Sequence, residues 1–98
     1  MSLAAELTAR AASTLDHAIA WYEAERAGMG VKLVADLEST LALLCSLPNL
    51  GRPAVNTRGR SRARVWRLRR FPYRVVYEVR GDRLVVLRLE HMRRRIQS

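Results

Sequence analysis

At 98 residues the chain has room for a single domain over residues 1–98, and its 49% hydrophobic content supplies a core without any apolar run near the roughly 18 residues of a membrane span. Neither a second domain nor a membrane partner is therefore expected. The net charge of +9 is split unevenly: residues 1–51 carry three cations against six acids, a net of −3, and residues 52–98 carry fifteen arginines against three acids, a net of +12. So basic a half predicts an anionic partner, either nucleic acid or an acidic protein segment.

In chain order, residues 3–8 read as a short edge strand. From Ala9 the period changes to that of a helix, with Leu15, Ala18, Ile19 and Tyr22 on one face, Trp21 on the flank, and Arg10, Asp16, His17, Glu23 and Glu25 on the others. Thr8 or Ser13 offers an N-cap oxygen, and Gly28 with Gly30 is expected to end the helix. Val34, Leu37, Leu41, Leu44 and Cys45 form the stripe of a second helix, widened by Leu33 and Leu47 and closed by Pro48. The connection between the two is so short that they should pack as an antiparallel hairpin. Cys45 is the single cysteine, so no intrachain disulfide is available and a reducing, cytoplasmic compartment is expected. Glu6 and Asp16 interrupt the N-terminal stretch, which does not read as an export signal.

Residues 48–62 are dense in Gly, Pro, Asn, Ser and Arg and read as a loop, after which residues 63–69 read as a strand of mixed polarity. Residues 73–79 and 84–89 are rich in β-branched, aromatic and aliphatic side chains, and Gly81-Asp82 between them is the two-residue turn of a hairpin. A tight two-residue loop sets Val79 against Leu84, Tyr77 against Val86, Val76 against Leu87, Val75 against Arg88 and Arg74 against Leu89. Residues 90–98 are a basic tail. The predicted fold class is α+β: an N-terminal antiparallel helix hairpin packed on one face of a small, mainly antiparallel sheet of three to four strands. The helices cover one face only. On the other, Val76, Leu87 and Leu89, rimmed by Arg74 and Arg80, read as an apolar groove suited to an acidic amphipathic segment that folds on binding.

Two distant histidines and one cysteine on a leucine stripe make no closed metal site, and Gly51 and Gly59 flank no strand-to-helix junction of the kind that cradles phosphate, so neither a metal nor a cofactor is expected. The densest cationic stretch is Arg58, Arg60, Arg62, Arg64, Arg67, Arg69 and Arg70, in which Trp66 shares strand parity with Arg62, Arg64 and Arg70. Cation and indole on one face suit nucleic acid; the same charges on a solvated edge strand would prevent edge-to-edge pairing.

Three stretches together resemble the RelE/ParE toxin superfamily, and within it the ParE-like, plasmid-stabilisation branch: ASTLDHAIAWY at residues 12–22, LPNLGRP at 47–53, and YRVVYEVRGDRLVVLRLEH at 73–91. The resemblance implies the toxin of a type II toxin-antitoxin pair, neutralised by a cognate antitoxin, in a homodimer or a toxin-antitoxin heterotetramer. ParE-like members poison DNA gyrase by binding; RelE-like members cut mRNA on the ribosome. On that reading Arg67, Arg88, His91, Arg93 and Arg94 are the candidates for target engagement, and Trp21, Val76, Leu87, Leu89, Arg74 and Arg80 those for the antitoxin. Were the chain a nuclease, Arg67 and His91 would be its catalytic pair. The acid that such a site also needs falls at Ala54, no acid lies between Leu50 and Phe71, and no tyrosine follows Tyr77, which favours binding over cleavage. A third alternative is a non-toxic, arginine-rich binding module on the same fold.

Overall fold

In a computed structural model that describes residues 2–54 and 62–92, the chain runs β1 (Ala4–Leu7), α1 (Ala9–Glu25), α2 (Met29–Ser46), β2 (Arg52–Pro53), β3 (Arg64–Arg67), β4 (Tyr73–Arg80) and β5 (Arg83–His91). Part of the expected loop, including Arg58 and Arg60, and the tail with Arg93 and Arg94 lie outside the described residues.

The first helix begins where Thr8 Oγ1 accepts from the Ala11 amide at 3.1 Å, and the same hydroxyl donates to the Leu87 carbonyl at 2.9 Å, so the N-cap also ties α1 to β5. The expected C-terminal glycines play a different part. The Arg26 amide closes α1 on the Tyr22 carbonyl, and Gly28, at φ +92°, caps the start of α2. No α2 side chain caps that end. Glu23 does so from the preceding helix, its carboxylate accepting from the Gly28 and Gly30 amides, each at 2.9 Å. These bonds hold the carboxyl below its ordinary range against a small opposing effect of burial. The three-residue connection that separates the helices, residues 26–28, is thus locked by one acid.

Leu33, Leu37, Leu41, Leu44 and Cys45 turn inward from α2 and meet Tyr73, Val75, Tyr77, Leu84, Val86 and Leu89 of the sheet in one core, with Ala11 and Ala18 of α1 allowing close approach. Burial of each such leucine or valine side chain contributes about 1.5–3 kcal/mol. The sheet order is β1-β5-β4-β3-β2, antiparallel throughout except for β1, which pairs parallel with β5. Among the described residues it holds five strands rather than three or four, because β1 joins the sheet and a two-residue β2 pairs with β3. At the hairpin tip Gly81 alone takes positive φ, at +60°, as the first central residue of a type II′ turn requires.

The register departs from a simple two-residue hairpin. Val79–Leu84 and Tyr77–Val86 pair as expected, but a bulge between Val76 and Tyr77 leaves Leu87 as the extra residue, so Val76 pairs with Arg88, Val75 with Leu89, Arg74 with Glu90 and Tyr73 with His91. A one-residue slip exchanges faces. Leu89, expected on the open face, is instead 5% exposed in the core beneath the helices.

Candidate functional site

On the face of the sheet away from the helices, the strand registers bring together Arg67, Arg74, Arg88, Glu90, Val65, Val76, Glu78 and Val85. This is not the open apolar groove that the sequence suggested. Val76 and Val85 are 2% and 3% exposed, Leu87 is half-buried at the bulge, and charged side chains dominate. Glu90 accepts from Arg74 Nε at 2.8 Å and from Arg88 Nε at 2.9 Å. Burial pushes its carboxyl up, but the bonds from Arg88 and Arg74 outweigh that and hold it below the usual carboxylate range. Arg80, expected beside Arg74 on a groove rim, lies at the far end of β4 in an ion pair with Glu78. Arg67 stands directly opposite Arg74, exposed, with no ion pair to any described acid. Two arginines facing each other across a ladder repel, and the Glu90 carboxylate bonded to Arg74 offsets part of that repulsion, leaving Arg67 as an exposed cation at the β3–β4–β5 end of this face.

The opposite side of the same sheet end holds a different feature. An open cleft runs along α1 and is floored by Ala18, Trp21 and Tyr22, with Phe71, Tyr73 and Leu89 facing them. Tyr22 meets the edges of Trp21, Phe71 and Tyr73 with ring centroids 4.9, 5.0 and 6.4 Å apart, so the floor is an aromatic cluster. His17 and His91, 74 residues apart in sequence, line it together. His17 Nδ1 donates to the Ser13 carbonyl at 2.9 Å, and the His91 ring stands edge-on to Tyr73 at 4.9 Å. Sequence reasoning placed His17 on a plain polar face. The available signal was the flank of the core-facing stripe of α1, where Thr14, His17 and Trp21 fall at helical spacing beside Ala18 and Tyr22.

The predicted site residues therefore divide between two surfaces. Arg67, Arg74, Arg88 and Val76 share the open face; Trp21 and His91 belong to the helix side; Leu89 packs in the core and also borders the cleft. Trp66 is on the helix side too, packed against the core, and is not an indole offered beside the open-face cations. Among the described residues no group of three or more metal-ligating side chains comes together.

Two buried polar hubs, neither singled out by the sequence, hold these surfaces in place. Asp36 of α2, 6% exposed, accepts from the Arg69, Arg70 and Phe71 amides at 3.3, 2.8 and 3.1 Å and so fixes the β3–β4 connection that borders the cleft. Tyr77 Oη donates to the Pro48 carbonyl at 2.8 Å and accepts from the Gly51 amide at 3.0 Å, while Arg64 donates to the Gly51 carbonyl at 2.6 Å. Burial raises the Tyr77 phenol above its ordinary range, opposed by the Gly51 amide and Arg64. A Cβ on Gly51 would lie 2.5 Å from Tyr77 Oη and 2.9 Å from the Val65 carbonyl, so only glycine fits. The LPNLGRP stretch is thus a clamp that seats β2 on β3.

Comparison with known proteins agrees with this architecture. The family model for the ParE toxin of the type II toxin-antitoxin system parDE matches residues 5–96. A solved structure titled as the chromosomal ParDE toxin-antitoxin system from P. aeruginosa superposes with a TM-score of 0.75 at 22% identity, covering 92% of this chain and 96% of that one, a likeness of fold. No curated protein matches the chain.

Proposed function

Because the chain belongs to the ParE toxin family of type II toxin-antitoxin systems, we propose that it is the poisoning half of such a pair, a cytoplasmic protein that arrests DNA gyrase by binding it and is neutralised by an acidic antitoxin. The observation that carries this reading is the family match over residues 5–96 together with a fold to suit it. Target engagement falls to the cationic end of the sheet, where Arg67 and Arg88 project from one side and His91 from the other, with Arg93 and Arg94 of the tail beside them in sequence.

The geometry also weighs against RNA cleavage. A general acid or base must come within hydrogen-bond reach of the atom it serves, and a phosphate-stabilising cation must reach the same phosphate. Arg67 and His91 stand on opposite faces of the sheet and do not converge on one phosphate. The test is to add the purified chain to gyrase and relaxed plasmid. Lost supercoiling, with linear DNA trapped after protein removal, is the expected result. Untouched supercoiling, combined with codon-register cuts in translated mRNA, would overturn the reading in favour of a ribosome-dependent nuclease.

A further inference from the structure

The cations of the open face are not spread evenly along it. At the hairpin-tip end, Arg80 and Arg83 are matched one for one by Glu78 and Glu6 in ion pairs. At the other end Arg52, Arg67, Arg74 and Arg88 have a single acid among them, Glu90, a surplus of three positive charges over four adjacent strands. The registers set these side chains on a grid. Arg52 of β2 stands opposite Val65, Val65 opposite Val76 and Val76 opposite Arg88, so one row crosses the sheet with an arginine at each end. In the next row on the same face Arg67 stands opposite Arg74, and Arg74 opposite Glu90. At about 4.8 Å between strands the first row is about 14 Å wide, and Arg67 lies about 7 Å from its line.

Glu90 does more than offset charge. Its two carboxylate oxygens take one Nε each, from Arg74 at 2.8 Å and from Arg88 at 2.9 Å. Both guanidinium groups are thereby held through Nε, and their terminal nitrogens make no hydrogen bond to a described residue. Arg52 and Arg67, both exposed, form no ion pair with a described acid. Two oriented forks and two exposed cations therefore share one end of the face.

This surface offers an occupant charge and little else. Val76 and Val85 are 2% and 3% exposed, so an amphipathic helix would find almost no apolar surface to fold against. A second copy, itself at +9, would bring like charge. A polynucleotide backbone binds through charge alone and at a regular spacing. One phosphate per about 3.4 Å of strand puts roughly four across the row from Arg52 to Arg88, and a guanidinium fork matches two oxygens of one phosphate.

Deepening the toxin reading, on which it rests, we propose that Arg52, Arg67, Arg74 and Arg88 form a clamp for the phosphate backbone of the DNA that gyrase holds, with Glu90 as the positioning residue that aims two of the four. Contact of this kind carries no base-sequence preference. The chain then engages the nucleic-acid substrate of its target as well as the enzyme itself.

The test is fluorescence anisotropy of the full chain with a labelled DNA duplex of arbitrary sequence, over about 50 to about 200 mM salt, with gyrase supercoiling followed in parallel. Arg67→Gln and Arg88→Gln should each weaken binding about threefold to tenfold and lower the slope of log affinity against log salt by about one. Arg83→Gln, which removes the same charge from the neutral end of the face, should match the wild type in both. Glu90→Gln should also weaken binding although it removes a negative charge, because an amide has one oxygen to accept for one guanidinium and turns an NH2 toward the other. Arg67 has no ion pair to lose, so its variant tests the clamp even where Glu90→Gln costs stability. Salt slopes unchanged in both arginine variants overturn the clamp, and gyrase still arrested by the wild type then leaves the toxin reading standing without it. Losses as expected, with supercoiling untouched by the wild type, keep the DNA site and remove the toxin reading. Tighter binding by Glu90→Gln removes the positioning role and reduces Glu90 to a counter-charge. An RNA duplex of the same sequence bound about tenfold tighter than DNA, with the same arginine dependence, reassigns the face to RNA. Antitoxin affinity that falls in Arg67→Gln while DNA binding is unchanged gives the face to an acidic protein segment.

Discussion

Asp36 is the residue on which the cleft side of the molecule turns, because one carboxylate serves three backbone amides of a connection that has no regular structure of its own. The Phe71 amide is buried, and without Asp36 it and its neighbours would be left partly unsatisfied beneath the aromatic floor. Asp36→Ala should therefore lower the unfolding free energy by about 3 kcal/mol, read as a lower urea midpoint at unchanged slope. It should also broaden the near-ultraviolet signal of the Tyr22–Phe71–Tyr73 cluster. Sequence alone gave no hint of this role. An acid at a helical position reads as surface by default, and the amides it serves lie 33 to 35 residues further on. Gly51 was hidden in the same way: its requirement comes from Tyr77, 26 residues away, rather than from a turn.

At the scale of elements, the legible parts were those whose signal is periodic and local. The α2 stripe falls at Leu37, Leu41, Leu44 and Cys45, and the hairpin turn at Gly81-Asp82, where the spacing put them, but Leu33, expected only to widen the stripe, is fully buried while Val34 is half-buried and Leu47 exposed. The bulge at Leu87 was not legible, since Val85, Val86, Leu87 and Leu89 are alike in size and polarity and nothing in their order marks the extra residue. The α1–α2 turn presents a similar case, in which the glycines were visible but the partner of their amides was not. Glu23, bonded to the Gly28 and Gly30 amides, has its carboxyl lowered in the folded state. The sign follows from linkage: a carboxyl whose folded value lies below its unfolded one adds stability that is present above the ordinary carboxylate range and disappears as pH falls through the folded value. Glu90 moves in the same direction and adds to the same acid sensitivity. Glu23→Gln isolates the turn. Thermal unfolding should place this variant below the wild type near neutral pH, with the gap closing as the solution is taken below about pH 4. A gap constant down to low pH would mean that the amides are satisfied without the charge.

For the molecule as a whole, the sheet acts as a partition. On one side the core, the helix hairpin and the aromatic cleft meet; on the other lies a face of alternating charge whose arginines concentrate toward the C-terminal end of β5. The strong split between an acidic first half and a basic second half in sequence becomes, after folding, a division of labour rather than a simple polar gradient, because α1 and α2 also contribute Arg26 and Lys32 to the cleft rim. If Arg67 on the open face engages the target and Trp21 on the helix side engages the antitoxin, the two activities are separable by mutation. Arg67 is the sharpest probe. It is exposed, has no described acid for a partner, and faces Arg74, so its removal relieves repulsion and leaves stability within about 0.5 kcal/mol of the wild type. Arg67→Ala should then lose growth arrest and gyrase inhibition by about tenfold or more, the scale on which a charge engaged at an interface acts, while calorimetry returns the wild-type antitoxin affinity. Equal losses in both assays would place target and antitoxin on one surface and dissolve the partition.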